Sequence, residues 1–278
     1  MKSGEPCSPA LRGRLLSLLL GPCLAAVVAG CATTAPVTAE EKPMHTVSEF
    51  RDQRFGYVDD PWESFNRSMY NFNYYFDKYF FLPVISGYEF ITPTILQTGI
   101  SNLFSNLGEV RNFTNNLLQG KPVDSLATLG RFVTNSTIGL GGLFDPATPL
   151  GLERRYNDFG LTLGHWGAGS GPYLVMPILG PSTLRDTTGW AVDSGMRYGI
   201  YHAIDPFEST NHEFAISAGI VLLEAVDKRH QESFRYYQSD NPFEYYMVRF
   251  FYHQKRNLDV LKGLKKPEEG EEEKRGAE

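Results

Sequence analysis

The chain has 278 residues, and its 32 acidic residues outnumber 26 basic ones, which gives a formal net charge of −6 at pH 7. A nucleic-acid partner calls for a basic face against its phosphates, so this balance argues against nucleic-acid binding. Cysteine occurs only at positions 7, 23 and 31, so we expect the body of the protein to fold without a disulfide.

The N-terminus combines the parts of a bacterial secretory signal. Three basic residues precede an apolar run at 15–28, which ends in Val-Ala-Gly followed by Cys31. Small residues before a cysteine are typical of a lipobox, so we predict a signal peptide at 1–30. Cys31 then becomes the first residue and carries a diacylglycerol and an N-acyl chain. A plain signal peptide or one transmembrane helix is the alternative, although the apolar run is short for a span.

The lipid attachment predicts where the mature chain lies. Each buried methylene contributes about 0.8 kcal/mol, so three acyl chains form a stable anchor where one chain is marginal. Ala32 follows the cysteine, in place of the Asp that retains lipoproteins in the inner membrane. We therefore expect the periplasmic face of the outer membrane. Residues 31–52 lack apolar periodicity and contain prolines, which is typical of a flexible linker.

One helix-start pattern occurs three times, beginning at Asp60, Asp205 and Asn241. Each has Asp or Asn, then Pro, an aromatic residue and Glu. Asp or Asn can cap a helix, Pro suits the first turn, and Glu can return to the cap N–H. We expect a helix to begin at each of these points.

The first predicted helix carries an aromatic stripe. Its apolar residues are spaced three and four apart, which places them on one face of a helix about 30 Å long. Such a helix is either deeply buried or in contact with lipid, and the sequence leaves both open. The stripe consists of Trp62, Phe65, Met69, Phe72, Phe76 and Tyr79.

Two further helical stretches follow, at 95–118 and 123–133, with a helix stop at Gly120-Lys121-Pro122 between them. An uncharged run at 214–223 is too short to span a membrane. A last aromatic helix runs from Asn241 to about Leu264. No strand pattern is convincing, so we predict an all-α single domain at 53–264, followed by a charged, disordered tail at 265–278.

The 26 residues between Asp158 and Arg185 contain no Asp, Glu, Lys or Arg. Their glycines and prolines exclude a continuous helix, and non-helical backbone at membrane depth must be buried in protein or line a cavity. One interpretation is a channel wall in which Trp166, Tyr173 and Met176 face apolar material. A core loop of a soluble domain is the other.

An enzymatic centre is not indicated. The Gly-x-Ser-x-Gly pattern fails because Ala168 stands at its first glycine. His165, Ser170 and either Asp158 or Asp186 could be combined into a lipase-like triad, but a structural histidine explains the same residues. The six histidines show no paired spacing and the mature chain offers no thiol ligand, so we predict neither a metal site nor catalysis.

Several motifs closely resemble the MlaA (VacJ) family of outer-membrane lipoproteins. They follow the family order over roughly 60–264, and Ser64 departs from an expected glycine. The main motifs are Asp-Pro-Trp-Glu-Ser-Phe-Asn-Arg at 60–67, Asn-Asn-Leu-Leu-Gln-Gly at 115–120, Gly-Leu-Phe-Asp at 142–145, Gly-Pro-Tyr at 171–173 and Leu-Arg-Asp at 184–186.

The resemblance implies a doughnut-like helical protein in the inner leaflet of the outer membrane. Its amphipathic channel would remove misplaced phospholipids from the outer leaflet and pass them to a periplasmic carrier resembling MlaC, which maintains lipid asymmetry. A trimeric porin is the implied neighbour. The Gly/Pro-rich stretch at 139–181 would shape the passage.

Arg67, Arg131 and Arg185 are candidate contacts for the phospholipid head group, because guanidinium forks suit phosphate. They could equally pair with Asp77, Asp145 or Asp186. Two other functions stay open, a phospholipase-like hydrolase and a structural lipoprotein tether.

Overall fold

The computed structural model describes residues 58–204, 213–238 and 241–264. The signal peptide, Cys31, the linker, the pattern at Asp205 and the C-terminal tail lie outside the described residues. The helices are α1 (Glu63–Phe76), a π-helical turn (Asp77–Phe81), α2 (Leu82–Ile91), α3 (Thr94–Leu118), α4 (Pro122–Thr137), α5 (Phe159–His165), α6 (Leu184–Ile204), α7 (Glu213–Gln231) and α8 (Glu244–Leu264).

The predicted all-α class is confirmed, with one addition. Strands β1 (Tyr173–Met176) and β2 (Gly180–Thr183) form an antiparallel hairpin in which Tyr173 pairs with Thr183. The turn places Ile178 at φ 68° and Gly180 at φ 84°. Strands of four residues carry almost no alternation and β2 contains Pro181, which is why the sequence pattern did not predict them.

Helix α1 continues through the π-helical turn into α2, and Pro83 explains the turn. A proline inside a helix removes one backbone donor and its ring clashes with the carbonyl four residues earlier. The wider π-turn lies directly before Pro83, where it relieves that clash. Pro93 then ends α2, because the preceding residue, Thr92, adopts the extended backbone that a following proline favours.

The joined helix 63–91 and helix α3 meet at a bend of 120°. Among the described helices none is by itself long and apolar enough to cross a membrane, but this bent pair meets the length and composition requirement when taken together.

Helices α3 and α4 have an inverted polarity. Every buried residue of α3 is polar, and the same is true of α4. Many of the apolar residues that predicted these helices are exposed instead, and Ile95 is 74% exposed. The buried residues are Gln97, Asn106, Glu109, Asn112, Asn115 and Asn116 in α3, and Ser125, Thr128, Arg131 and Asn135 in α4.

The aromatic stripe of α1 also faces outward, with Phe65 and Phe72 about half exposed and Tyr79 70% exposed. The buried side of this helix carries Asn66 and Asn73 beside two tyrosines. Of the two interpretations that the sequence left open, deep burial of the stripe is therefore excluded. The exposed aromatic and aliphatic residues of α1, α3 and α4 form an apolar exterior of the kind that marks a membrane or protein contact.

Asp60 does not cap α1 as predicted. Its carboxylate is buried and accepts hydrogen bonds from Asn66, Tyr245 and Arg249 at 2.6–2.7 Å, so it joins the start of α1 to α8. The prediction for Asn241 is confirmed, because its side chain accepts a hydrogen bond from the Phe243 N–H at 2.8 Å immediately before α8.

Candidate functional site

A groove of about 910 Å³ lies between the π-helical turn, the hairpin and α8. We call it the apolar groove, because its walls are mainly aromatic and aliphatic. A pocket of this volume is at the upper end of the range for small-molecule sites. Its apolar lining consists of Phe76, Phe81, Ile178, Leu179, Phe234, Val248, Phe251 and Leu258.

A buried ion pair closes one end of the apolar groove. Arg229 donates to both carboxylate oxygens of Asp77, with each N···O distance at 2.7 Å. Both side chains are largely shielded from solvent, and the pair ties the π-helical turn to α7. Asp77 was left open as a partner for one of the candidate head-group arginines, and the structure gives it Arg229 instead.

A second cavity, of about 540 Å³, lies beside the C-terminal part of α8. We call it the polar hollow. It is enclosed by the start of α4, the loop before α5 and α8, and its charged and polar lining is extensive. That lining includes Asn116, Gln119, Lys121, Asp124, Glu153, Arg155, Asn157, His165, Lys255, Asp259 and Lys262.

The two cavities share one face of α8. Lys255, Asp259 and Lys262 line both of them, and their spacing of four and three residues places them on the same side of the helix. The apolar groove and the polar hollow therefore border each other along this charged face. Sequence reasoning treated α8 as an aromatic helix and missed the charged face, although its spacing was visible beside the aromatic residues.

His165 contributes a polar atom without a partner to the polar hollow. Its Nδ1 is buried and has no hydrogen-bond partner within the described residues. Burial lowers the pKa of His165 and the charge of Lys121 lowers it further, which keeps the ring neutral near pH 7. A buried nitrogen of this kind is unusual in a folded protein unless a water molecule or a ligand completes it.

The structure places Arg131 in the interior, where a lipid head group cannot reach it. Its side chain is 1% exposed and is bound by Glu109 at 2.9 Å and Asp145 at 3.0 Å. The remaining guanidinium contacts go to Thr148 and to the backbone carbonyl of Leu152. The head-group role predicted for Arg131 is therefore wrong, and the alternative pairing with Asp145 is confirmed.

Arg185 is also buried, and it lies 3.2 Å from Asp186. Asp186 in turn binds Arg256 of α8, which reaches Asp158 at the start of α5 through two further contacts of 2.9 Å. This network occupies the carboxylates that the sequence offered to a lipase-like triad. Arg67 differs, because its side chain is about one-third exposed, pairs with Glu63 and lies over the Tyr245 ring at 4.4 Å, so its head-group role stays a prediction.

The three residues predicted to form the channel wall lie in different environments. Trp166 is 55% exposed and its indole N–H donates to the Leu118 carbonyl at 3.2 Å. Tyr173 is fully buried in a core cluster with Val58, Tyr70, Val175 and Tyr245, so it cannot line an open passage. Met176 is half-buried at the end of β1, and its wall role stays a prediction.

Ser170 and His253 form a contact that the sequence analysis did not propose. The Ser170 hydroxyl lies 3.1 Å from His253 Nε2, and His253 Nδ1 lies 3.2 Å from the Asn257 amide. His165, the partner considered from sequence, instead lines the polar hollow. Within the described ranges no group of three or more His, Cys, Asp or Glu side chains is arranged to hold a metal ion.

The outward apolar faces, the polar residues buried under α3 and α4, and an apolar groove beside a charged hollow define a helical protein suited to amphiphilic ligands. The family model described as "MlaA lipoprotein" matches residues 58–259. The chain belongs to this family of lipoproteins.

Relatives and a solved structure agree with that assignment. The chain is 35% identical to the intermembrane phospholipid transport system lipoprotein MlaA of Escherichia coli, over 76% of this chain and 82% of that one. It is 36% identical to the protein of the same name from Haemophilus influenzae, over 50% of this chain and 57% of that one. A solved structure described as the basis for maintenance of bacterial outer membrane lipid asymmetry matches with a TM-score of 0.57 and 33% identity, over 72% of this chain and 98% of that one.

Proposed function

We propose that this chain is an outer-membrane lipoprotein that removes mislocalised phospholipids from the outer leaflet and passes them to a periplasmic lipid carrier. The observation that carries the proposal is the apolar groove, which borders a polar hollow along one face of α8. The names of the relatives support the same function, because they describe an intermembrane phospholipid transport system.

The two environments match the two parts of a phospholipid. A polar head group is costly to move through apolar surroundings unless polar partners replace its water. Acyl chains are favourable against aromatic and aliphatic walls, at roughly 25 cal/mol per Å² of buried apolar area. A passage with an apolar wall and a polar wall lowers both costs without any bond being made or broken, so this mechanism needs no catalytic group.

The apolar exterior supports placement of the helical body in a lipid environment. Phe90, Ile91 and Ile95 at the bend between α2 and α3 are each at least 74% exposed, and water is a poor solvent for such a cluster. Acylation at Cys31 would tether the chain on the periplasmic side. A trimeric porin and an MlaC-like soluble carrier are the partners that we assign to it.

The test compares two leucines of α8. Leu258 lines the apolar groove, whereas Leu261 does not, and both side chains are more than half exposed. Leu258→Asp places a charge against the acyl chains, and Leu261→Asp is the matched control. In cells that lack their own family member, we expect wild type and Leu261→Asp to restore a low level of outer-leaflet phospholipid, measured by surface labelling, and Leu258→Asp to leave it high.

If Leu258→Asp restores a low level of outer-leaflet phospholipid as well as Leu261→Asp does, the apolar groove does not lie on the route of the lipid. Failure of the wild-type chain to lower outer-leaflet phospholipid, despite acylation at Cys31 and normal abundance, would instead favour the structural tether.

The contact between Ser170 and His253 favours one alternative, a phospholipase-like hydrolase. A hydroxyl within hydrogen-bond distance of a neutral imidazole is the arrangement of a nucleophile and its base. Burial and the charge of Arg185 lower the pKa of His253, which favours the neutral imidazole that can accept a proton but also makes it a weaker base. The third residue is Asn257 rather than a carboxylate. Incubation with a labelled diacyl lipid decides the matter: lyso-lipid that disappears in Ser170→Ala would establish the hydrolase, and intact lipid would exclude it.

A further inference from the structure

The polar hollow is lined by more cationic than anionic side chains. Its lining carries Lys121, Arg155, Lys255 and Lys262 against Asp124, Glu153 and Asp259. Formal charges therefore sum to +1 in a chain whose net charge is −6. A local excess of positive charge in an acidic protein attracts anions to that cavity.

Two of these cations are paired within the hollow and two are not. Arg155 binds Asp124, and the Lys121 ammonium donates to Gln119 at 2.6 Å. Lys255 and Lys262 show no hydrogen bond or ion pair within the described residues, and both are exposed and line both cavities. Lys255 and Lys262 are seven residues apart, or about two turns of α8. They would therefore flank a bound anion.

Lys121 faces the same space from the other wall. A Cβ placed on Gly263 would lie 3.0 Å from the Lys121 ammonium, so the glycine lets this cation approach the end of α8. Burial lowers the pKa of Lys121, which means that its charge is incompletely compensated by the groups around it. The unpaired Nδ1 of His165 lies in the same wall and can accept a hydrogen bond from a ligand.

We infer that the polar hollow binds the phosphate of a phospholipid head group through Lys121, Lys255 and Lys262, while the acyl chains lie in the apolar groove. The His165 Nδ1 accepts a hydrogen bond from the alcohol or ammonium part of the head group. This assignment rests on the proposed function, and it places the head group on the face of α8 that joins the two cavities.

The experiment uses the full acylated chain in a mild detergent, titrated with three probes and monitored by native mass spectrometry. The probes are a short-chain phosphatidylglycerol, the diacylglycerol with the same chains, and glycerol 3-phosphate. The test variant is Lys255→Gln/Lys262→Gln, and the control is Lys228→Gln, an exposed lysine of α7 that lines neither cavity. All of these side chains are exposed, so folding is preserved, which thermal unfolding checks.

We expect the double variant to bind phosphatidylglycerol about tenfold more weakly or worse, because charge-assisted contacts to phosphate are lost. Diacylglycerol affinity should not change, and Lys228→Gln should match wild type. Unchanged phosphatidylglycerol binding in the double variant would overturn the site while leaving the proposed function standing. Wild type that binds no phosphatidylglycerol would overturn both. Glycerol 3-phosphate bound as tightly as phosphatidylglycerol would show a site for free phosphate esters and overturn the lipid assignment.

Discussion

Replacing Arg131 with methionine tests whether this buried arginine is structural. The substitution keeps most of the side-chain volume but removes the cation between Glu109 and Asp145. Glu109 is 0% exposed, so its carboxylate loses its main partner in a place that water does not reach. Breaking a buried ion pair on one side typically costs about 3–5 kcal/mol.

That cost corresponds to a fall in the unfolding midpoint of roughly 6–20 °C, since about 1 kcal/mol shifts the midpoint by 2–4 °C in a chain of this size. Thermal unfolding in detergent, followed by circular dichroism, measures it. Arg155→Met is the matched control, because Arg155 is about half exposed beside Asp124 and such pairs contribute less than about 1 kcal/mol.

Adding Glu109→Gln to Arg131→Met should recover part of the loss, because the carboxylate left without its partner is then neutral. The result that refutes the structural role is specific. If Arg131→Met unfolds within about 1 kcal/mol of wild type and yet carries less bound phospholipid, the guanidinium contacts lipid and its burial in the interior is misassigned.

Three further predictions concern packing, acid stability and acylation. Gly189→Ala should destabilise the protein strongly, because its Cβ would lie 2.2 Å from the Gly160 backbone nitrogen where α6 crosses α5. Gly195→Ala, on the same helix, is the control, because its Cβ would meet no atom within 4 Å. It should be neutral or slightly stabilising in the same thermal assay. Burial alone would raise the pKa of Asp145, but hydrogen bonds from Thr148, Arg131 and Asn135 lower it to about 2. Its contribution to stability is therefore complete above pH 4 and is lost as pH falls from about 4 to 2. The free energy of unfolding, measured over this pH range, should depend less on pH in Asp145→Asn. Cys31→Ser should lack the acyl mass in mass spectrometry and lose membrane retention, whereas acylation of that variant would refute the lipobox.

Helix positions were predictable from the sequence, but the direction in which each helix faces was not. The spacing of Leu126, Leu129 and Val133 is the same whether the apolar stripe faces a core or a lipid phase. The direction is decided by the polar side, where Asn115 binds Asp193 and Thr162 across α3, α6 and α5. Such contacts join residues 47 and 78 positions apart, and no local periodicity contains them.

The candidate site was less predictable than the fold, because it depends on pairing. Arginines were chosen for their affinity for phosphate, but the same property makes them good partners for buried carboxylates, and Arg131 and Arg185 are used in that way. The lysines without a partner among the described residues are the ones to which we assign the phosphate. Their convergence on the two cavities depends on how α8 packs beside α4 and α5, which the sequence does not reveal.

The polar interior of α3 and α4 also sets how stability responds to temperature. Exposure of apolar surface on unfolding raises the heat capacity by about 0.45 cal/mol/K per Å², whereas exposure of polar surface lowers it by about 0.26. Helices that bury Asn106, Asn112 and Asn116 while presenting leucines outward gain little heat capacity when they melt. The free energy of unfolding should then vary more gently with temperature than in a water-soluble helical protein of equal length, so cold would weaken this domain less.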